Sequence, residues 1–334
     1  MKTSYINMSL ALKEAWKYQL LTYPNPAVCA LVTFKGKIVA IEAHQKEGTS
    51  HAEVLALLSA YEAITNTIIN VNRFDSYKAH DFLYSLPKDF FSECEIFVTL
   101  EPCSHSGKTP SCALLLGYLK PKKVVIATLD PIKGHSGGIN ILKSKNIAVE
   151  IGVCKREAEE LLEPFLIWQK RAFILFKIAQ TSNGKIGGGY LSSKESLTHV
   201  HQLRFVCSKM VIGGNTVRVD RPTLDCRFIK EDAPNITIFS KQKSFDKTIP
   251  LFSVPNRDIT ILDNLEDLDK PSFLLIEGGE GMLNSLKDKI DWILQYQTPK
   301  LSSHNSNYSV DLDLKFLYQD RVGVDLILWS KIVR

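Results

Sequence analysis

The sequence predicts an α/β protein of two domains, and three observations carry that expectation. Short apolar strands alternate with helical patterns along nearly the whole chain, the arrangement that lays helices on the faces of a sheet. At 334 residues the chain exceeds what one hydrophobic core usually organises. A charged helical connector, Lys155 to Lys170, then separates two such series near residue 160; it carries Arg156, Glu157, Glu159, Glu160 and Glu163.

The first series opens with a helix over about Asn7 to Leu20, where Met8, Leu12, Ala15 and Trp16 share one face. Pro24-Asn25-Pro26 must be extended or turned, because each proline restricts the residue before it. Strands over Val28 to Phe34 and Lys37 to Ala43 follow, joined at Lys35-Gly36 as a hairpin. Helical spacing returns over His51 to Glu62. Between residues 62 and 93 the pattern lapses, and the segment reads as an insertion carrying its own short helix. A strand over Glu95 to Leu100, a helix over Cys112 to Tyr118 and a strand over Lys123 to Thr128 come next. A helix over Ser136 to Lys145 and a strand over Ala148 to Val153 close the first domain, residues 1–155.

The second domain, residues 156–334, begins with a strand over Phe173 to Ala179. A helix over Lys194 to Phe205 and strands over Met210 to Gly213, Ile236 to Ser240 and Phe273 to Glu277 continue it. A helix over Met282 to Lys289 and closing strands over Trp292 to Gln297 and Val322 to Trp329 complete it.

Composition excludes several classes. No apolar run approaches the ~20 residues of a membrane-spanning helix. The amphipathic N-terminus does not read as an export signal, so no membrane is expected. Lys and Arg number 41 against 36 Asp and Glu, a net charge of +5 that suits phosphorylated small molecules and falls short of a nucleic-acid binder. Seven cysteines, an odd number spread over a long chain, do not read as a disulfide framework. A reducing cytoplasm is expected, where a Cys pair near a His points to a metal site. The sequence leaves assembly into a homo-oligomer open.

The chemistry sits in three pieces: Pro24-Asn25-Pro26, His51-Ala52-Glu53, and Glu101-Pro102-Cys103 followed by Cys112. Catalytic zinc takes three protein ligands and keeps a position for water. His51, Cys103 and Cys112 supply one imidazole and two thiolates. Zinc lowers the pKa of water toward ~7, and attack on an amino-bearing ring carbon still requires protons to be carried. Glu53, two residues past His51 at the start of a helix, is the expected carrier. A His-x-Glu followed by Pro-Cys-x-x-Cys is the zinc-deaminase signature; here the first half stands, and the second has a longer gap between its cysteines. Singly, each residue would be an ordinary cap or buried thiol. Taken in order, each near a strand-to-helix junction, they read as a zinc site, while Cys29, Cys94, Cys154, Cys207 and Cys226 read as structural thiols.

TYPNPAVCALV, HQKEGTSHAEVLAL, VTLEPCSHSGKTPSC and ATLDP, over residues ~8 to 60 and ~94 to 155, resemble the bifunctional deaminase/reductase family of riboflavin biosynthesis. The SHSGKTPS segment between Cys103 and Cys112 separates this branch from cytidine and tRNA adenosine deaminases, which usually keep two residues there. The resemblance implies a three-layer, cytidine-deaminase-like first domain. It implies a small phosphorylated pyrimidine as substrate, 2,5-diamino-6-ribosylamino-4(3H)-pyrimidinone 5′-phosphate, deaminated at its ring amino group. Asn25, His44, Lys108 and Thr109 would hold the pyrimidine and its ribose phosphate. An amide can pair with ring edges, and a lysine can bind phosphate as a point charge. The insertion at residues 62–93 departs from the family's usual length.

The family's second domain is a reductase built like dihydrofolate reductase and using NADPH. The matching pieces are KIAQTSNGKI (Lys177 to Ile186), HQLRFVCSKMVIGGNTVRVDRPTLDCR (His201 to Arg227) and LLIEGGEGMLNSL (Leu274 to Leu286). The resemblance implies that Ala179, Thr216, Asp220 and the turn Gly279, Glu280, Gly281, Met282, Leu283, Asn284 and Ser285 face the dinucleotide. Lys177, Arg204, Leu224, Arg227 and Glu277 would face the substrate. The chain departs from the family at Asn183, where an aspartate is usual, and in the short loop Gly187 to Tyr190. The span from Arg227 to Glu277 is compressed as well. The first expectation is therefore a two-activity enzyme. The second is a deaminase whose C-terminal half is retained for binding or assembly.

Overall fold

The structure is a computed structural model and describes residues 2–105, 107–132, 136–187, 191–264 and 270–334. The chain divides into two compact units, Met1–Glu163 and Pro164–Arg334.

The first unit runs α1 (Lys2–Trp16), β1 (Cys29–Phe34), β2 (Lys37–Ala43), α2 (Ala52–Thr65), α3 (Ser76–Tyr84), β3 (Cys94–Leu100), α4 (Cys112–Leu119), β4 (Lys123–Thr128), α5 (Gly138–Ser144) and β5 (Ala148–Ile151). Helix α6 (Lys155–Trp168) follows, and the division between units falls inside it. The sheet order is β2-β1-β3-β4-β5. Its β1–β2 hairpin closes at Lys35-Gly36 with φ of 51° and 79°. Two left-handed residues match the twist of the flanking strands, so the turn reinforces the register. From β3 onward the strands are parallel, with α4 and α5 as crossovers.

Strand alternation sorts the core onto two faces. Ala30, Val32, Ile96, Val98, Val124 and Ile126 pack in one cluster with residues of α2, α3, α4 and α5. Leu31, Phe97 and Val125, also buried, point the other way, where α1 lies against β1, β2 and β3 with Met8, Ala11, Leu12, Ala15 and Trp16 buried. The result is three layers. Helix α1 stops at Trp16 rather than Leu20, which takes φ 67° and cannot continue it. The expected helix of the 62–93 insertion is α3. It packs on α2 and α4 through Ala79 and Leu83, and Arg73 ties the insertion to Ser59 (2.8 Å) and Glu62.

The second unit runs β6 (Ala172–Thr181), α7 (Lys194–Val206), β7 (Lys209–Gly213), α8 (Gly214–Asp220), β8 (Ile236–Phe239), β9 (Ile259–Leu262), β10 (Ser272–Glu277), α9 (Glu280–Leu286), β11 (Trp292–Thr298), β12 (Leu314–Val322) and β13 (Asp325–Ile332). Among the described residues the sheet order is β12-β13-β11-β6-β10-β7-β8-β9. β11, β6, β10, β7, β8 and β9 are mutually parallel, and β13 and β12 add antiparallel strands at one edge. The strand expected over Val322 to Trp329 is instead the junction of β12 and β13. Gly323, at φ 61°, lets the chain reverse there with Val322 paired to Asp325. Alternating residues on both sides of so short a turn mimic one continuous strand.

Candidate active site

Both cysteine positions in the first unit follow from the β3–α4 crossover. Cys103 lies in the loop leaving the carboxyl end of β3, and Cys112 is the first residue of α4. Ser111 caps that helix by accepting from Leu114 N (3.2 Å), and donates its own hydroxyl to Cys103 O (2.7 Å). The same hydroxyl thus starts the helix and fixes the loop. Gly138 completes the enclosure: a Cβ there would stand 2.0 Å from Pro102 O, so only glycine lets α5 approach the loop. Glu101 accepts from Gly137 N, Ile139 N and Asp130 N and fastens the surrounding turns. Sequence reading assigned no role to Glu101 or Ser111; a serine ahead of an apolar helical run was the available signal for the latter.

His51 is the N-cap of α2, with extended backbone. Its Nδ1 lies 3.7 Å from Cys103 Sγ and 3.5 Å from Cys112 Sγ, and the three ligand atoms fall within 4.8 Å of one another. Atoms bound to one zinc at ~2.0 and ~2.3 Å in tetrahedral geometry would stand ~3.6 Å apart. The residues present therefore fit the metal. Without it, Cys103 is pushed well below the thiol range, first by the hydrogen bond with Cys112 and then by His51. Cys112, which keeps the shared proton, is pushed up. Burial alone would lower His51, but the hydrogen bond to Cys103 together with the negative charges of Cys103 and Glu53 raises it. Glu53, in the first turn of α2 and 4% exposed, is raised by burial. It therefore lies beside the ligands as a carboxyl poised to hold a proton.

Three of the four expected pyrimidine-binding residues converge here. His44 stands edge-on to His51, ring centroids 5.5 Å apart. Its Nδ1 faces Ser50 O (3.1 Å), which can only accept, so Nδ1 carries the proton. Nε2 is then left to accept from Asn25 Nδ2 at 3.2 Å. Burial, followed by the charge of His51, holds His44 neutral with a pKa lowered to about 4. Thr109 Oγ1 lies 3.1 Å from His51 Nε2. Lys108 next to it is exposed and pairs with Glu47. Another histidine, His80 of α3, is buried; its Nδ1 donates to Ser76 O (2.7 Å) and its Nε2 has no partner among the described residues. Nothing in the irregular 62–93 sequence singled it out.

In the second unit, Lys177 and Glu277 are register partners on β6 and β10, with Nζ 3.2 Å from Oε2. Arg204 of α7 grips the same carboxylate through Nε (2.9 Å) and Nη2 (3.0 Å), and its Nη1 donates to Asp225 O (3.3 Å). Burial would raise Glu277, but the charges of Arg204 and Lys177 hold it at about 2. The guanidinium is thus spent within the protein. Arg227 is half exposed, and among the described residues its guanidinium is held only through Nε, by Asp225 at 2.7 Å.

Leu224 has φ 55°, and its carbonyl accepts from Arg257 Nη1 (2.7 Å). Arg257 also donates to Thr223 O (2.8 Å) and Leu251 O, a clamp that a lone arginine in sequence does not announce. Gly213 and Met282 lie so close that a Cβ on Gly213 would stand 3.7 Å from Met282 Sδ. The turns leading to α8, with Thr216, and to α9 are therefore neighbours. Met282 and Leu283 belong to the hydrophobic core, and it is the Met282 side chain that stands beside Gly213. Asp220 is exposed at the end of α8, and Ala179 pairs with Tyr296 on β11. Asn183 accepts from Thr181 Oγ1 (2.7 Å) and Ser302 N (3.1 Å) and donates to Ser302 O (2.8 Å). Of the short loop, Gly188, Gly189 and Tyr190 lie outside the described residues.

A family model described as the cytidine and deoxycytidylate deaminase zinc-binding region matches residues 1–128. The riboflavin biosynthesis protein RibD of Aquifex aeolicus (strain VF5) is 32% identical, over 97% of this chain and 97% of that protein. RibD of Bacillus amyloliquefaciens is also 32% identical, over 68% of this chain and 56% of that protein. Two solved structures share the fold. One is a diaminohydroxyphosphoribosylaminopyrimidine deaminase/5-amino-6-(5-phosphoribosylamino)uracil reductase from Thermotoga maritima: TM-score 0.68, 24% identity, 99% of each chain. The other is Acinetobacter baumannii RibD: TM-score 0.66, 22% identity, 100% of this chain and 99% of that one.

Proposed function

The chain belongs to the RibD family of riboflavin biosynthesis proteins, and from that premise we propose how its residues divide two reactions. It is a bifunctional enzyme, a deaminase and a reductase, with a cytidine-deaminase-like domain followed by a dihydrofolate-reductase-like one. In our reading the deaminase occupies residues 1–155 and the reductase residues 156–334. The observation that carries the first assignment is the convergence of His51, Cys103 and Cys112 beside buried Glu53.

The deaminase substrate is 2,5-diamino-6-ribosylamino-4(3H)-pyrimidinone 5′-phosphate. His51, Cys103 and Cys112 would hold zinc, which when bound would supply the Lewis acidity that makes water a nucleophile near neutral pH. Glu53 takes a proton from the attacking water and delivers it to the ring nitrogen, then carries the remaining hydroxyl proton to the amino group as the C–N bond breaks and the carbonyl forms, releasing ammonia. Asn25 presents its amide to a ring edge, and the hydrogen bond from its Nδ2 to His44 Nε2 fixes the amide's orientation. Lys108, exposed and on the loop beside Thr109, meets the phosphate.

The reductase takes the deaminated product to 5-amino-6-(5-phospho-D-ribitylamino)uracil. NADPH supplies the hydride, and the protein's task is alignment. Ala179, Thr216, Asp220 and the Gly279 to Ser285 turn hold the dinucleotide; Lys177, Arg204, Leu224, Arg227 and Glu277 border the sugar phosphate. The end of Arg227 without a partner among the described residues supplies the phosphate fork, since Arg204 is held by Glu277. Asn183 bonds both the amide and the carbonyl of Ser302, a structural use of the position that supports an active domain. No helix among the described residues is long and apolar enough to cross a membrane. Together with seven cysteines outside any disulfide, this supports a cytoplasmic protein. The test is one reaction with the pyrimidine phosphate, with and without NADPH, following ammonia and ribityl product. Ammonia in both, and ribityl product only with NADPH, is expected; ammonia alone in both would leave a deaminase with a silent second unit.

A further inference from the structure

We propose that Thr109 is a positioning residue for His51: its hydroxyl accepts the Nε2 proton and so aims Nδ1 at the two sulfurs. The inference rests on reading His51, Cys103 and Cys112 as the metal ligands. A neutral imidazole carries one N–H and one lone pair. Nδ1 is the ring nitrogen facing both sulfurs, at 3.5 and 3.7 Å, so as a metal ligand it would present its lone pair there, which leaves the proton on Nε2. The acceptor at Nε2 is Thr109 Oγ1, 3.1 Å away. His51 heads α2 without a side-chain capping bond, so its backbone alone does not select the ring's orientation.

Thr109 is suited to this task. It is 7% exposed, so water competes poorly for its oxygen. Its carbonyl accepts from Gly107 N (3.1 Å), which fixes the turn that presents the side chain. Two residues further on, Ser111 is locked to Cys103 O and to the start of α4. The segment between the two cysteines thus carries the group that orients the third ligand. Partners of this kind fix the tautomer and orientation of ligating histidines, and losing one costs ~10–100-fold in metal affinity. A substrate contact at the same hydroxyl predicts something else: unchanged metal affinity and a raised KM.

The experiment uses the full chain as parent, Cys112→Ser, Thr109→Val and Thr109→Ser, with Thr109→Ala standing in if valine fails to fold. Zinc affinity is measured by competition with a chromogenic chelator, and deaminase kcat and KM are measured at saturating zinc. Thr109→Val should weaken zinc binding by ~10–100-fold, with Thr109→Ser recovering most of it and KM staying near the parent's. Parental zinc affinity in Thr109→Val together with a raised KM would overturn the proposal and return Thr109 to the substrate. Equal zinc affinity in the parent and Cys112→Ser would overturn it differently, by removing the ligand assignment beneath it.

Discussion

In the first unit His51, Cys103 and Cys112 turn their donor atoms toward a common point, while in the second Lys177, Arg204 and Glu277 turn theirs on one another. Both clusters lie largely out of solvent, and pKa values are displaced in each: in both directions among the groups of the first, and downward for the carboxylate of the second. In the first, protons are displaced between neighbours: Cys103 goes down as Cys112 goes up, and Glu53 is raised by burial. In the second, Glu277 is lowered to about 2 and its charge is already matched by two cations. Perturbed groups mark functional sites only probabilistically, because structural ion pairs perturb pKa as well. The difference lies in what remains unsatisfied. The first cluster still asks for a cation; in the second the carboxylate occupies both the Arg204 fork and Lys177, and for that reason we assign the phosphate to Arg227.

The largest expected effect is on proton transfer. Glu53→Gln should keep zinc yet lower deaminase kcat by ~10²–10⁴-fold, the usual worth of a positioned acid–base group. Metal analysis alongside ammonia release decides it; loss of zinc in this variant would make Glu53 a ligand and erase the contrast between holding a metal and moving a proton.

Next comes Glu277. Its removal leaves Arg204 and Lys177 buried and unmatched, so Glu277→Ala should destabilise the chain by ~3–5 kcal/mol in urea unfolding and abolish NADPH oxidation. The pH dependence sharpens the point. A carboxyl held at about 2 when folded, against 4.5 ordinarily, stabilises fully above pH ~4.5 and loses that contribution as pH falls toward ~2. The urea midpoints of parent and Glu277→Gln should therefore converge below pH ~4.5. A gap that persists unchanged to pH ~2.5 would mean that Glu277 is not charged in the fold.

The smallest effect belongs to Asn183. Its Nδ2 donates to Ser302 O, which a carboxylate cannot do. Asn183→Asp should cost ~0.5–1.5 kcal/mol in thermal or urea unfolding and bring no gain in NADPH oxidation. A rise in reductase rate with the aspartate would show that the position still has a catalytic task.

Legibility followed range along the chain. Lys37–Ala43 and Lys123–Thr128 were readable to the residue, since each is a run of β-branched residues bounded by turn or charged positions. The convergence of His51, Cys103 and Cys112 was readable because two short motifs carry all three, with Glu53 two positions from the first. The partners of those residues were not readable. Thr109 could be named from the sequence, but its bond to His51 spans 58 positions. Arg257 clamps carbonyls more than thirty positions away, and no local pattern distinguishes it from a surface arginine. Helix α8 was hidden because its residues, Gly214-Asn215-Thr216-Val217-Arg218-Val219-Asp220, are poor helix formers that tertiary packing holds in place.

The measurement that bears most directly on two separate chemistries in one chain is made on Cys112→Ser. Zinc content, ammonia release from the pyrimidine phosphate, and NADPH oxidation with the deaminated substrate are followed on the same preparation. The account predicts that zinc and ammonia release are lost while NADPH oxidation stays at the parent's rate. Zinc retained at the parent's level, or NADPH oxidation lost from a protein that remains folded, would contradict it.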